Sequence, residues 1–216
     1  MSWKKNCLKN CKLYAITDLK EEDPGIVKKI EGALRGGVDI IQLRSKALSD
    51  SVLLRLGKKI LKLTQTHKKL FIVNDRVDLM LAMNADGVHL GQDDLPVGIA
   101  RRLITNSEKI IGCSTHSLKQ ALEAERQGAD YIGFGPIFGT PTKPHYQPIG
   151  LNDISGVVSK SKIPVFCIGG IDRNNIEQVL QAGANRIAVV RAVFSTPNPF
   201  SAAEDLKGIM EHASVN

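Results

Sequence analysis

Apolar positions come in short runs spaced almost evenly along the chain. Eight of them, Leu13–Ile16, Asp39–Leu43, Leu70–Asn74, Gly87–Leu90, Lys109–Cys113, Tyr131–Phe134, Pro164–Ile168 and Arg186–Val190, predict strands. Most are continuous rather than alternating, the signature of a parallel sheet covered on both faces. Amphipathic stretches lie between them. In Ser49–His67, Leu53, Leu56, Ile60 and Leu63 recur every three or four residues with lysines between, which predicts a helix with one buried stripe. Pro24–Gly36, Arg76–Met83, Pro96–Ile104, Ser117–Gln127 and Asn174–Gln181 are read the same way. Ser49 and Ser117 are expected N-caps. Gly36-Gly37, Gly128 and Gly183 follow three of the helices, where a left-handed residue ends the turn. A phrase also repeats at helix ends: GGVDIIQL, QGADYIGF and AGANRIAV, with NADGVHL as a shorter fourth. The 216 residues give eight strand–helix units of about 27 residues each, which suits one strand, one helix and two short loops. The expected fold is α/β, a (β/α)8 TIM barrel in a single domain over residues 1–216, with residues 1–11 a short basic N-terminal extension. A doubly wound sheet is the alternative, but no G-x-G-x-x-G follows the first strand.

In such a barrel the chemistry sits where strands end. The second strand ends in Gln42, Leu43, Arg44, Ser45 and Lys46; Gln42, Arg44 and Lys46 alternate and would share one face. An Arg fork beside a Lys point charge suits a phosphate or diphosphate; a polar network inside the barrel is the other reading. Asp75 and Asp94 follow the third and fourth strands. Two neighbouring carboxylates repel unless protonated or bridged, so Mg2+ carrying substrate phosphates is one expectation and helix capping the other. Ser114 ends the fifth strand with amides beyond it that can hold an anion, and His116 beside it is either an acid/base group or a turn residue. The long segment 135–148 reads as a lid or binding loop, and its Lys143 brings a third cation. Gly169-Gly170 and Val190-Arg191 follow strands seven and eight, the usual place for a phosphate cup of backbone amides. Two anion sites at one mouth suit an enzyme that joins or cleaves two phosphorylated pieces.

Charge and composition narrow this further. Lys plus Arg is 29 against 22 Asp plus Glu, a net +7, but aromatics are only 5% and the basic residues are dispersed. Solvated faces are preferred over a nucleic-acid surface. No run approaches a membrane span, and no apolar stretch follows the basic N-terminal residues as a secretory signal would require, so a cytoplasmic location is expected. Cys7 and Cys11 form a bare C-x3-C, weak as a zinc pattern. Cys113 and Cys167 fall in apolar runs and read as buried hydrophobes.

Six motifs in order, QLRSK, VNDRVDLML, ADGVHLGQDDLP, GCSTHS, DYIGFGPIFGTPTKP and CIGGI, resemble those of the thiamine-phosphate synthase family over nearly the whole chain. The resemblance implies condensation of hydroxymethylpyrimidine diphosphate with hydroxyethylthiazole phosphate. It assigns Gln42, Leu43, Arg44, Ser45, Lys46, Asn74, Ser114 and Lys143 to the pyrimidine diphosphate, with Arg44, Lys46, Ser114 and Lys143 as the catalytic set. Asp75 and Asp94 would hold Mg2+, and Thr140, Pro141, Thr142, Gly170, Val190 and Arg191 would bind the thiazole phosphate. Partners are then small phosphorylated molecules, with a homo-oligomer left open. Rivals are a thiazole tautomerase of the same fold using His116, a Schiff-base aldolase using Lys143, and a non-enzymatic nucleic-acid or scaffold protein. The joint presence of Gln42, Arg44, Lys46, Asp75, Asp94 and Lys143 argues against the first, since a tautomerase has no diphosphate to hold.

Overall fold

Eight parallel strands, β1 (Leu13–Ile16), β2 (Ile40–Leu43), β3 (Leu70–Asn74), β4 (Gly87–Leu90), β5 (Ile110–Thr115), β6 (Tyr131–Phe134), β7 (Val165–Ile168) and β8 (Ile187–Val189), pair in sequence order, and β8 closes onto β1. The computed structural model describes residues 3–142 and 146–213. The helices are α1 (Trp3–Asn10), α2 (Ile26–Arg35), α3 (Asp50–Thr66), α4 (Val77–Met83), α5 (Val97–Leu103), α6 (Leu118–Arg126), α7 (Ile154–Lys160), α8 (Ile176–Gln181), α9 (Arg191–Phe194) and α10 (Pro199–His212). The fold is the expected TIM barrel. Every predicted strand is present to within two residues, and so are the six predicted helices. Gly37, Gly128 and Gly183 have the expected positive φ, and Ser117 caps α6 by accepting from Gln120 N. Ser49 makes no capping bond; its hydroxyl lies against that of Ser51.

Two apolar layers form. One lies between the strands and the outer helices. The other fills the barrel itself, where Tyr14, Tyr131 and Phe166 meet edge to face with ring centroids 5.5–5.9 Å apart, an arrangement aromatic quadrupoles favour. Residue 112 must be glycine for this packing, because a Cβ there would stand 2.1 Å from the Tyr131 ring.

The repeated phrase acquires a physical meaning at the N-terminal end of the barrel. Its aspartates, Asp39, Asp86 and Asp130, stand just before β2, β4 and β6. Each accepts a backbone N–H from the preceding strand: Leu13 at 3.1 Å, Phe71 at 2.9 Å and Ile111 at 2.9 Å. Each also has cations. Lys69 and Lys207 reach Asp39 at 2.6 and 2.7 Å, Lys4 reaches Asp86 at 2.8 Å, and Lys5 and Arg101 reach Asp130 at 2.9 and 2.5 Å. The basic residues 1–11 are therefore not simply a solvated extension. Over Trp3–Asn10 they form a helix whose Lys4 and Lys5 bind barrel aspartates and whose Leu8 joins the interior layer.

At the end of this helix Cys11 donates its thiol to the Cys7 carbonyl at 3.2 Å. Among the described residues no group of three or more His, Cys, Asp or Glu could hold a metal, so no zinc cluster forms there. Burial raises the Cys113 thiol to about 11 and that of Cys167 to about 12, as expected of packed, unreactive thiols. Among the described residues no helix is long and apolar enough to cross a membrane.

Burial alone would raise the Asp39 pKa, but hydrogen bonds from Lys207 and Lys69 outweigh it and hold the carboxyl below its usual value. Stability from a lowered carboxylate pKa is present above the unfolded value and lost as pH falls through the folded one. Asp39→Asn should therefore cost about 2–3 kcal/mol at neutral pH, somewhat under the range for breaking a fully buried pair. The gap from the unsubstituted protein should close below about pH 4. Urea unfolding at several pH values measures both, and a gap independent of pH would refute the ion-pair account.

Candidate active site

The C-terminal ends of the strands open into a cavity of about 730 Å³, whose lining includes Gln42, Arg44, Asn74, Ser114, Thr140, Thr142, Gly170, Val190 and Arg191. These come from β2, β3, β5, the segment after β6, and the loops after β7 and β8. A second cavity of about 310 Å³ adjoins it, lined by Lys46, Asp75 and Asp94 among others, with Asn74 on the wall of both. The site residues thus divide into two chambers.

That division revises the reading of the second strand. β2 ends at Leu43, and the alternation ends with it. Gln42 and Arg44 line the large cavity while Lys46 turns into the small one. The Leu43 side chain packs in the outer apolar layer, and the residue also lines the small chamber. The Ser45 hydroxyl is used within the structure: it donates to the Leu19 carbonyl in the loop after β1 at 2.8 Å and accepts from Ala47 N and Leu48 N of its own loop at 3.1 and 3.0 Å. Arg44 is braced by an ion pair with Asp18, and its N–H donates to the Thr17 hydroxyl at 2.9 Å. A guanidinium has five donors, so this pair leaves others to face the cavity.

In the small chamber Lys46 Nζ lies 2.5 Å from Asp75 Oδ2. Asp94 faces the same carboxylate. Burial, then its hydrogen bond to Asp75, raise the Asp94 pKa above the usual carboxylate value. Neither aspartate acts as a helix cap: α4 starts after Arg76 without a side-chain cap, and Asp94 accepts from Gly91 N at 2.7 Å within its own turn. Asp75 has φ +60°, a conformation that costs an L-residue about 1–2 kcal/mol. Its N–H donates to the His89 carbonyl at 2.8 Å, and Arg76 N donates back to Asn74 O at 2.7 Å, so a three-residue turn points this carboxylate. Strain of this kind persists where the surrounding contacts over-determine it, commonly at functional positions.

A chain of hydrogen bonds crosses the barrel beneath the large cavity. Gln42 Nε2 donates to Tyr14 Oη at 2.5 Å, Tyr14 and Tyr131 share a bond of 2.9 Å, Tyr131 meets His89 Nδ1 at 3.0 Å, and His89 Nε2 meets Ser114 Oγ at 2.9 Å. It links two residues assigned to the same ligand, Gln42 and Ser114. Burial raises both tyrosine pKa values, so the phenols stay protonated and can donate. Tyr14, Tyr131 and His89 were not candidates on sequence grounds. The only signal available was a phenol hydroxyl inside an otherwise apolar strand, which needs a buried partner.

After β6, Ile137 N and Phe138 N donate to Ile168 O and Gly169 O at 2.8 and 3.0 Å. This stem continues the sheet and carries Thr140 and Thr142 to the mouth. Pro141 between them is exposed and is not among the cavity-lining residues. Gly169 and Gly170 have φ +104° and +65°, and a Cβ on Gly169 would lie 2.4 Å from Pro136, so the floor of the cavity here admits only glycine. His116 Nδ1–H donates to the Gly135 carbonyl, and its ring packs on Tyr146 at 5.0 Å. Lys143 lies outside the described residues.

Fold and site together define a TIM barrel with a cation-bearing, glycine-floored mouth. Within that class the chain belongs to the thiamine monophosphate synthase family, whose sequence model matches residues 13–193. A thiamine-phosphate synthase of Pyrococcus abyssi is 46% identical over 202 residues, covering 93% of this chain and 95% of that protein. One from Synechocystis is 44% identical over 92% of this chain. The chain spans only 57% of that relative's length, and similarly little more than half of other cyanobacterial relatives. A solved structure of a thiamine phosphate pyrophosphorylase from Pyrococcus furiosus superposes with a TM-score of 0.86 at 40% identity, covering 97% of this chain and 98% of that one.

Tyr131→Phe should break the hydrogen-bond chain at its centre and remove the partner of His89 Nδ1. The imidazole 15N shifts of His89 are expected to move, and stability to fall by about 1–3 kcal/mol, the cost of stranding buried polar partners. Unchanged His89 shifts would mean the chain does not form in solution.

Proposed function

We propose that this chain condenses 4-amino-2-methyl-5-(diphosphooxymethyl)pyrimidine with hydroxyethylthiazole phosphate, giving thiamine monophosphate and diphosphate. The observation that carries the proposal is the two-chamber mouth. A carboxylate–lysine corner at Lys46, Asp75 and Asp94 stands apart from a glycine-floored corner at Gly170, Val190 and Arg191, with Gln42 and Ser114 between them. One reaction with two phosphorylated substrates needs two such corners. Membership of the family and the similarity to Pyrococcus synthases support the same reading.

Mg2+ is the cofactor in this reading, and the donor set fits it. Asp75 and Asp94 offer hard oxygen ligands, and a hard divalent ion commonly takes one or two carboxylates with substrate phosphates. Asp94 and Asp75 stand in hydrogen-bond contact, and two carboxylates so placed favour a positive charge between them. When bound, Mg2+ supplies charge compensation for the diphosphate.

The chain's own groups do the rest. Arg44 and Lys46 face the charge that develops as diphosphate departs, the place where preorganised donors lower a barrier most, and the family resemblance adds Lys143 to them. Gln42 and Ser114, fixed by the chain through Tyr14, Tyr131 and His89, hold and orient the aminopyrimidine. Its electron-rich ring stabilises positive charge at the methylene carbon, so departure can precede attack by the thiazole nitrogen. Thr140, Thr142, Gly170, Val190 and Arg191 hold the second phosphate. No protein nucleophile is needed, and Ser114, tied to His89, serves as a positioned donor. The proposal includes a cytoplasmic location and leaves a homo-oligomer open.

Product analysis with both phosphorylated precursors, with Mg2+ and with chelator, tests the reaction: thiamine monophosphate should form only with the metal. Asp75→Asn combined with Asp94→Asn should lower turnover by about 10²–10³-fold, the usual loss for one electrostatic group. Turnover within about threefold of the unsubstituted protein would remove the metal assignment.

A further inference from the structure

Arg76 belongs to none of the groups assigned above, yet it makes the most complete guanidinium contact at the mouth. Nη1 and Nη2 donate to the two carboxylate oxygens of Asp50, each at 2.9 Å. Nε and Nη2 donate to the two oxygens of Asp78 at 2.9 and 2.6 Å. Both edges of the guanidinium are thus engaged in fork–fork pairs, the geometry in which Arg fixes orientation and Lys cannot substitute. Asp50 is the first residue of α3 and Asp78 the second of α4. One side chain therefore ties together the two helices whose preceding loops carry Lys46 and Asp75.

Its place in the backbone matters equally. Arg76 directly follows Asp75 and closes the three-residue turn by donating its N–H to Asn74 O. On the upstream side, Asp75 N is held by the His89 carbonyl. A residue at φ +60° between two such anchors relaxes when either is lost. Arg76 and both its carboxylates are exposed, where isolated ion pairs contribute little to stability. The double fork is worth more as a constraint on direction than as a contribution to folding. Arg76 and Asp50 also line the small chamber with Lys46, Asp75 and Asp94, so movement there is felt at the carboxylates.

The geometry points to Arg76 as a positioning residue: its double fork to Asp50 and Asp78 holds the strained turn at Asp75 and so sets the divalent-cation affinity of the Asp75–Asp94 pair. This rests on the proposed metal site. Its alternative, that Arg76 swings in as a direct charge contact to diphosphate, makes the opposite demand on the substitutions.

The test is binding of Mn2+ to the otherwise unliganded protein, followed by loss of the free-ion electron paramagnetic resonance signal, with melting temperature and circular dichroism recorded for each variant. Asp50→Asn combined with Asp78→Asn breaks the fork and leaves the Arg76 cation in place. This double variant and Arg76→Lys should each weaken Mn2+ binding by about fivefold or more, with unchanged circular dichroism and little change in melting temperature. Affinity within twofold of the unsubstituted protein in both would overturn the positioning role. Retained Mn2+ affinity in both, with the affinity for inorganic diphosphate lowered in Arg76→Lys but not in the Asp50/Asp78 variant, would overturn it in favour of the charge contact. Asp75→Asn is the control that separates the two layers of the argument. If it leaves Mn2+ affinity unchanged, the metal site itself is wrong and the positioning role falls with it. If it abolishes binding while the fork variants bind normally, the site stands and only the positioning role is lost.

Discussion

Neighbouring strands of a parallel barrel have no tight turn between them to set their register. Each must be aligned by something outside the connecting loop. Here that is a carboxylate placed one residue before β2, β4 and β6, buried at Asp39 and Asp86 and half-buried at Asp130, which takes the N–H of the strand preceding it. A carboxylate so placed must be compensated, and that demand recruits Lys69, Lys207, Lys4, Lys5 and Arg101 from β3's approach, α10, α1 and α5. Strand alignment and helix docking thus rest on the same few charges. In the copy AGANRIAV Asn185 replaces the aspartate, and its side chain accepts from Arg186 instead. β8, which follows, is the shortest strand.

Alignment at that end positions the chemistry at the other. A shift of one residue in any strand would turn its interior side chains outward. Tyr14, His89, Ser114 and Tyr131 sit on four different strands, separated by as many as 117 positions in sequence, and their hydroxyl and ring nitrogens meet only in the correct register. The aromatic layer below them excludes water, so each bond in the chain is stronger and each unmade bond more costly than at the surface. Preorganisation of Gln42 and Ser114 follows from the core beneath them.

The sequence was informative where a residue's role follows from its immediate neighbours. Continuous apolar runs showed the strands, and the order of polar residues at their ends located the mouth. Roles that depend on distant contact were not visible. Lys4 and Lys5 look like solvent-facing charges until Asp86 and Asp130 are placed beneath them. α7 and α10 went unread because Gly156 and Ser155 weaken the first as a helix, while the second carries only a diffuse apolar stripe. Extending the Gln42–Arg44 alternation to Lys46 assumed that the strand continues; it ends at Leu43, and the Ser45 hydroxyl bends the loop that follows. The tyrosines read as apolar packing because a phenol's polar end is invisible in an apolar run. Ser49 satisfied the compositional rule for a cap without making the bond, since its hydroxyl had a nearer partner in Ser51.

The division of the mouth into two chambers has its own physical logic. The small chamber gathers Lys46, Asp75 and Asp94, whereas the large one sets Arg44 and Arg191 in a wider apolar lining. Asn74, on the wall of both chambers, is uncharged and can donate to one side while accepting from the other. It therefore joins the two chambers through an uncharged side chain. Its neighbour Asp75 reaches the small chamber from a left-handed backbone, φ +60°. The strain at Asp75 thus sits where two successive side chains at the end of β3 serve two cavities.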